Sequence, residues 1–267
     1  MTTIKDLSNL AGRRALITGA TGRLGKVFAD SLAELGSDII LLDLPGSDFA
    51  TLSETLEKRW GVNVEIMPCD LESENQRSEV IEYLTNSGRG LNILVNNAAL
   101  VGTSELSGWN VPFGEQSLST WRRALEINLT AVFHLCQGLF PLLKKAEGAN
   151  IINIASIYGS YAPDWQLYEG TLMGNPAAYG VSKSGIIQLT RWLATTIAPD
   201  IRVNGIAPGG ILRNQEKSFV DRYTEKTPLK RMAEEDDIRG AVAYLSSDLS
   251  RYVTGQILVV DGGFTSH

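Results

Sequence analysis

Short apolar runs alternate along this chain with segments whose apolar residues recur at helical spacing. The first run is Arg14-Ala-Leu-Ile-Thr18. It leads through glycines 19, 22 and 25 into an apolar-periodic helix ending near Leu35, and strand Asp38 to Asp43 follows at once. The pattern then predicts a helix from about Phe49 to Trp60, strand Val62 to Pro68, a helix from about Ser73 to Asn86 and strand Leu91 to Asn96. A long helix is predicted from about Leu118 to Lys145, with apolar positions 125, 129, 132, 133, 136, 139 and 140 on one face. Strand Asn150 to Ala155, a helix running to about Ile197, strand Ile201 to Ala207, a helix from about Glu234 to Ser246 and strand Gln256 to Asp261 complete the series. Several strands are continuously apolar, as buried parallel strands are. Seven strands alternating with helices predict an α/β fold: a doubly wound parallel sheet with helices on both faces. With no linker, repeat or low-complexity tract, residues 1–267 read as one domain.

Three stretches interrupt the alternation: Val101 to Ser117, Ser160 to Gly174, and Gly209 to about Pro228, the last with a short helix near Gln215 to Tyr223. The first two follow C-terminal strand ends, where open α/β sheets bind ligands. Composition narrows the classes. Lys and Arg number 24 against 30 Asp and Glu, a net charge of -6 without basic runs, which argues against nucleic acid or an anionic membrane as partner. No apolar run approaches ~18 residues, so no membrane span or secretory leader is expected, and the protein reads as cytoplasmic. Cys69 and Cys136 sit in apolar surroundings as reduced core thiols. His134 and His267 are too few and too far apart for a metal cluster.

The glycines at 19, 22 and 25 lie between a strand and a helix. There they let the backbone approach a pyrophosphate, which the helix N-terminus then favours. Asp43 ends the second strand, 24 residues after Gly19, where a carboxylate accepts ribose hydroxyls and repels a 2′-phosphate; NAD is therefore expected over NADP. Arg23, placed to meet a phosphate, weighs the other way.

The stretch Asn175-Pro-Ala-Ala-Tyr-Gly-Val-Ser-Lys183 predicts a helix with Asn175 as cap and Pro176 in its first turn. Tyr179 and Lys183 then stand one turn apart on one face. An ammonium beside a phenol lowers its pKa from about 10 toward working pH, giving an acid/base group. Ser156, at the end of an apolar strand, is placed to bind a substrate oxygen beside Tyr179. Asn128 lies within the long helix, either as a satisfied structural amide or as the holder of a proton-relaying water.

With these pieces in hand, the chain resembles the short-chain dehydrogenase/reductase family. The matching motifs are Thr18-Gly19-Ala-Thr-Gly22-Arg-Leu-Gly25, Asp70-Leu71, Asn96-Asn97-Ala98-Ala99, Asn128, Ser156, Tyr179-Gly-Val-Ser-Lys183, Pro208-Gly209 and Asp261-Gly262-Gly263, in family order over nearly the whole chain. The resemblance implies a Rossmann-type fold, with Tyr179 as general acid/base and Lys183 lowering its pKa and holding the nicotinamide ribose. It implies that Ser156 fixes the substrate oxygen and that Asn128 anchors the relay. For the cofactor it implies Gly19, Thr21, Arg23 and Leu24 in the glycine turn and Asp43 at the adenosine ribose. Asp70 and Leu71 fall at the adenine, and Asn97, Ala98 and Ala99 along the ribose side. Pro208, Gly209 and Ile211 fall beside the nicotinamide. No metal is implied, and a homodimer or homotetramer is.

Four departures stand out. The glycine spacing resembles that of the family's longer sugar-nucleotide branch, with Arg23 where the shorter branch has glycine. Ala99 replaces a glycine, at some expected cost in backbone freedom. Arg213 replaces a common threonine. Ser156 and Tyr179 are 23 residues apart, about ten more than usual in the family, which adds a loop over the site.

That loop carries Asp164, Trp165, Tyr168, Glu169 and Met173, and the other entrance loop Glu105, Trp109, Asn110, Phe113, Glu115 and Gln116. Aromatic faces with acids and amides suit a polyhydroxylated ligand; the same residues also serve as loop anchors and solvated acids. Tyr158-Gly, Tyr168-Glu-Gly-Thr and Pro208-Gly-Gly-Ile-Leu-Arg-Asn-Gln215 resemble bacterial oxidoreductases of flagellin-modification and sialic-acid-like sugar pathways, where Arg213 would meet a substrate phosphate. The leading expectation is an NAD-dependent oxidoreductase interconverting a secondary alcohol and a ketone on a sugar, sugar phosphate or polyol. The alternatives are an NADPH-linked 3-oxoacyl carrier-protein reductase, which Asp43 disfavours, and a dinucleotide-sensing binding protein without catalysis, which the full Asn128, Ser156, Tyr179 and Lys183 set disfavours. A sugar-nucleotide epimerase or dehydratase has only the glycine spacing in its favour.

Overall fold

The computed structural model describes residues 1–101 and 106–266. Glu105 and His267 lie outside the described residues. Seven strands form one parallel sheet in the order β3-β2-β1-β4-β5-β6-β7: β1 (Arg14–Thr18), β2 (Asp38–Asp43), β3 (Val64–Pro68), β4 (Ile93–Asn96), β5 (Asn150–Ile154), β6 (Arg202–Pro208) and β7 (Ile257–Val260). The helices are α1 (Ile4–Ser8), α2 (Arg23–Glu34), α3 (Phe49–Trp60), α4 (Glu74–Asn86), α5 (Leu118–Leu125), α6 (Ala131–Leu143), α7 (Ala177–Thr196), α8 (Lys217–Lys226) and α9 (Arg239–Ser246). The order reverses beside β1, which pairs with β2 on one edge and β4 on the other. Loops leaving β1 and β4 therefore part and open a crevice at the strands' C-terminal ends.

Strand periodicity explains the continuous apolar runs. Leu16, Ile40, Leu42, Leu94, Ile151 and Val203 enter one buried cluster with residues of α4, α6 and α7. Their neighbours Ala15, Ile17, Ile39, Leu41, Ile93, Ile152 and Ile206 enter a second cluster with α2, α3 and α9. Successive side chains point to opposite faces, so a sheet covered on both sides needs apolar residues at every strand position.

The predicted helix from Leu118 to Lys145 is not continuous. A π-turn, Glu126–Thr130, joins α5 to α6, with Ala131 N–H donating to the Glu126 carbonyl. It carries Asn128, whose side chain binds backbone outside the helix. The predicted cap of α7 is displaced by one residue. Pro176, at φ -62° and ψ 140°, is the cap and Ala177 the first helical residue. The free N–H of Ala177 donates 3.2 Å to Gln116 Oε1, so the capping side chain comes from the neighbouring loop. Before α9, Glu235–Ile238 is a 3-10 turn rather than α-helix. Strands β3, β4 and β7 are shorter than expected by one or two residues at their ends. Helix α1 has no apolar stripe to betray it and rests on a Thr3–Asp6 capping box.

Candidate active site

The β1–α2 turn is built by contacts that exclude side chains. Gly19 has φ +63°, and a Cβ there would stand 2.9 Å from Ala98 Cα. A Cβ on Gly25 would stand 2.0 Å from the Gly19 carbonyl oxygen, so α2 can pack this closely only with glycine there. Gly22 caps α2 with no side-chain hydrogen bond, and the first turn of α2 holds no acid. The first N–H groups of this helix and the positive end of its dipole are thus free for an anion.

Asn97 braces this turn. Its Nδ2 donates to the Thr18 and Gly19 carbonyls at 2.8 and 3.1 Å, while Thr18 Oγ1 accepts from Asn97 N and Ala98 N. Asp43 is held at the tip of β2: Oδ2 accepts from Thr21 N and Thr21 Oγ1 at 2.8 and 2.7 Å, and Oδ1 from Leu44 N at 2.8 Å. Asp70 accepts from Glu72 N, and the carbonyl of Leu71 is held by the buried Arg77. Ala99 does not carry the backbone cost expected of it, because Lys230 is the only non-glycine among the described residues with positive φ.

Thr21, Arg23, Leu24, Asp43, Asp70, Leu71, Asn97, Ala98, Ala99, Pro208, Gly209 and Ile211 all line one cleft of about 1380 Å³ with Gly19, Ser156, Tyr179 and Lys183. Every expected cofactor and catalytic residue reaches this cleft except Asn128. The Asn128 side chain is spent on protein: Oδ1 accepts from Leu100 N at 2.7 Å, and Nδ2 donates to Leu100 O and Ser182 Oγ at 3.0 Å each. It is a tie between the β4 loop, the π-turn and α7.

Ser156 lies close enough to the Tyr179 phenol to favour its ionised form, and accepts from Tyr158 N at 3.2 Å. Lys183 is buried on α7, beside the ring of Tyr179. Its Nζ donates 2.7 Å to the Ile154 carbonyl and stands 5.9 Å from the Tyr179 ring centroid. Burial pushes Lys183 down to about 8. Burial pushes Tyr179 up from its ordinary value, and the Ser156 hydrogen bond and the Arg213 charge pull it partly back.

Of the two readings of the entrance-loop acids, the described ones follow that of solvated or loop-anchoring groups. Asp164 pairs with Lys226, Glu169 offers its backbone carbonyl to Arg222, and Glu115 is exposed; none of the three lines the cleft. Trp109 is buried, with its indole N–H on the Val101 carbonyl, and anchors its loop. Trp165 and Phe113 lie on the outer side of the loops, half or more exposed. The inserted loop presents Tyr168 inward. Its hydroxyl meets that of Tyr158 at 2.8 Å. Asn110, Asn175, Glu216 and Tyr223 complete this wall. The last two had no sequence signal beyond lying near a short helix. Arg222 grips the Leu167 and Glu169 carbonyls, and Glu216 accepts from Leu172 N, so α8 holds the loop as a fixed wall. No group of metal-ligating side chains occurs among the described residues, and no described helix is long and apolar enough to cross a membrane.

Comparison with known proteins agrees with this geometry. The family model described as enoyl-(acyl carrier protein) reductase matches residues 19–265. The post-translational flagellin modification protein A of Campylobacter coli is 32% identical, covering 96% of this chain and 99% of its own. A 3-oxoacyl-(acyl-carrier-protein) reductase of Aquifex aeolicus is 29% identical over 95% of this chain and 98% of its own. Among solved structures, a gluconate 5-dehydrogenase from Burkholderia cenocepacia in complex with NADP and tartrate superposes with a TM-score of 0.87 at 28% identity, over 99% and 100% of the two chains. A short chain dehydrogenase from Leptospira borgpetersenii with bound NAD+ gives 0.83 at 33%, over 99% and 96%. With the glycine turn, the cleft and the Ser156–Tyr179–Lys183 cluster in place, the chain belongs to the short-chain dehydrogenase/reductase family of NAD(P)-dependent oxidoreductases.

Proposed function

We propose that this chain interconverts a secondary alcohol and a ketone on a sugar or polyol, using NAD. The observation that carries the proposal is that Ser156, Tyr179 and Lys183 line one cleft together with the glycine turn and a wall of phenols and amides.

The uncapped start of α2 and the side-chain-free glycine turn would hold the pyrophosphate, and Asp43 the adenosine ribose. When bound, the dinucleotide supplies the hydride acceptor or donor. Tyr179 holds the proton exchanged with the substrate oxygen, and Ser156 orients that oxygen by hydrogen bonding. Positioned proton transfer of this kind contributes about 10²–10⁴-fold. Lys183, buried and near its own deprotonation point, is the charge that steadies phenolate once Tyr179 gives up its proton. Asn128 is a positioning residue here, acting through Ser182 and Leu100.

NAD is favoured because Asp43 is fixed by three hydrogen bonds at the strand tip, where a 2′-phosphate would confront its charge. Arg23, more than half exposed and 3.9 Å from Glu235, is the charge that weighs the other way. Tyr158, Tyr168, Asn110 and Asn175 bring phenols and amides to the cleft lining, which suits several hydroxyls better than an acyl chain. The names of the Campylobacter and Burkholderia proteins point the same way. A homo-oligomer suits the exposed Leu118, Phe133, Val181 and Trp192 on α5, α6 and α7.

The second reading, a 3-oxoacyl carrier-protein reductase using NADPH, draws support from the Aquifex relative. Calorimetry of NAD+ against NADP+ on the parent and Asp43→Ala, followed by a turnover screen of sugars, polyols, sugar phosphates and 3-oxoacyl thioesters, separates the two. Tighter NAD+ binding that Asp43→Ala abolishes, with polyol or sugar turnover, is expected. Preference for NADP(H) with turnover of thioesters alone overturns the proposal.

A further inference from the structure

Two arginines of the cleft have no role in the reading above. Arg23 opens α2 on one side of the cleft, and Arg213 follows β6 on the other. Both approach one oxygen atom. Glu235 Oε1 lies 3.3 Å from Arg213 Nε and 3.9 Å from Arg23 Nη1.

The backbone sets up this meeting. Ile211 and Ala233 form a parallel bridge, with Leu212 N–H donating 2.7 Å to the Ala233 carbonyl and Ala233 N–H donating 3.0 Å to that of Gly210. Arg213 and Glu235 stand two residues beyond the bridge on each segment. The Arg213 N–H donates 2.5 Å to Gln215 Oε1, which fixes the turn. Neighbouring acids are committed elsewhere: Asp236 to Arg239 and Asp237 to Arg231. Two guanidiniums thus share a single carboxylate, so the three side chains together carry one net positive charge. Both contacts are long and partly solvated, with the Arg213 side chain 30% and Arg23 55% exposed, so each is easily exchanged for a stronger anion.

We propose that Arg23, Glu235 and Arg213 form a clasp across the mouth of the cleft, in which Glu235 holds both guanidiniums beside the glycine turn until they transfer to the dinucleotide pyrophosphate. This rests on the cofactor reading above. It gives Arg213 to the cofactor and not to a substrate phosphate, because its partner Glu235 lies toward Arg23 and the glycine turn. Glu235 is a positioning residue that the incoming anion displaces.

The test is calorimetric titration of NAD+ into the unliganded parent, Arg213→Thr, Arg23→Gly and Glu235→Gln at low and high salt, with thermal midpoints to establish folding. Arg213→Thr is expected to weaken binding about tenfold and the more exposed Arg23→Gly about threefold at low salt. Both gaps should shrink at high salt, as screened phosphate contacts do. Glu235→Gln should tighten binding, because it removes a competing anion and leaves both cations in place. This variant keeps the test decisive even if an arginine variant does not fold. The clasp is overturned if both arginine variants bind within about twofold of the parent, or if Glu235→Gln binds more weakly. A parent that binds NAD+ while its variants do not differ refutes the clasp alone; a parent that does not bind NAD+ refutes the cofactor reading and the clasp with it.

Discussion

Lys183 offers a test that needs no substrate. Its ammonium is buried on α7, and its pKa is pushed down to about 8 from an ordinary 10.5. A lysine whose folded pKa is depressed makes the unfolded chain bind more protons between the two values. Stability therefore rises with pH through that window, and the folded protein carries a burden wherever the lysine is charged. For a folded value near 8 the burden is about 3 kcal/mol at pH 7 and falls below about 1 kcal/mol by pH 10. Lys183→Met removes it and fills a similar volume, but leaves the Ile154 carbonyl without its 2.7 Å donor, at a cost of about 1–3 kcal/mol that does not depend on pH.

The two terms oppose each other, so the order of stability should change with pH. Near pH 7 the unliganded variant is expected to match the parent or exceed it by about 1–2 kcal/mol. By pH 10 it should be the less stable of the two. Urea unfolding followed by tryptophan fluorescence at fixed protein concentration, from pH 7 to pH 10, gives the difference; other titrating groups cancel between parent and variant. A parent-minus-variant difference that stays flat within about 0.5 kcal/mol across this range refutes the reasoning, because the folded lysine would then titrate as it does in the unfolded chain.

Two further substitutions probe the frame of the site. Asn128→Ala strands both backbone groups of Leu100 and should cost about 2–4 kcal/mol, seen as a lowered thermal midpoint of the unliganded protein; an unchanged midpoint would show the tie to be idle. Gly25→Ala puts a methyl where the Gly19 carbonyl stands, 2.0 Å from its Cβ, so α2 must shift off the turn. NAD+ affinity measured by calorimetry should fall at least tenfold, by the loss of even one charge-assisted phosphate contact of about 1.4 kcal/mol, while Gly90→Ala, at a glycine without positive φ where a Cβ meets nothing within 4 Å, should leave it unaltered.

The periodicities that predicted the sheet were read from the residues that fill it, which is why all seven strands and the glycine turn were legible. Cleft residues were legible where a motif ties them to a strand end or to the first turn of α7: Asp43, Ser156 and Pro208 on the one hand and Tyr179 on the other all reach the cleft. What could not be read was competition for the same polar groups. Asn128 was expected either as a structural amide or as a relay, and only the position of Leu100 decides that its three hydrogen bonds go to protein. Gln116 was grouped with substrate-facing residues, yet it caps α7, because Pro176 with ψ 140° leaves the first helical N–H to a neighbour. Glu235 gave no signal, since its meeting with Arg23 and Arg213 depends on a two-residue bridge between loops more than twenty positions apart. Lys183 shows the same limit most clearly. Its spacing from Tyr179 is helical and correct, but spacing fixes only which face it shares. Burial and the Ile154 carbonyl fix its charge, and these make the same ammonium a cost to the unliganded fold and a stabiliser of phenolate in the reaction. A residue kept at such a cost is explained by what it does when Tyr179 loses its proton; the burden on the fold and the support of phenolate both belong to the charged lysine, so both should begin to fade as pH rises past its own pKa of about 8.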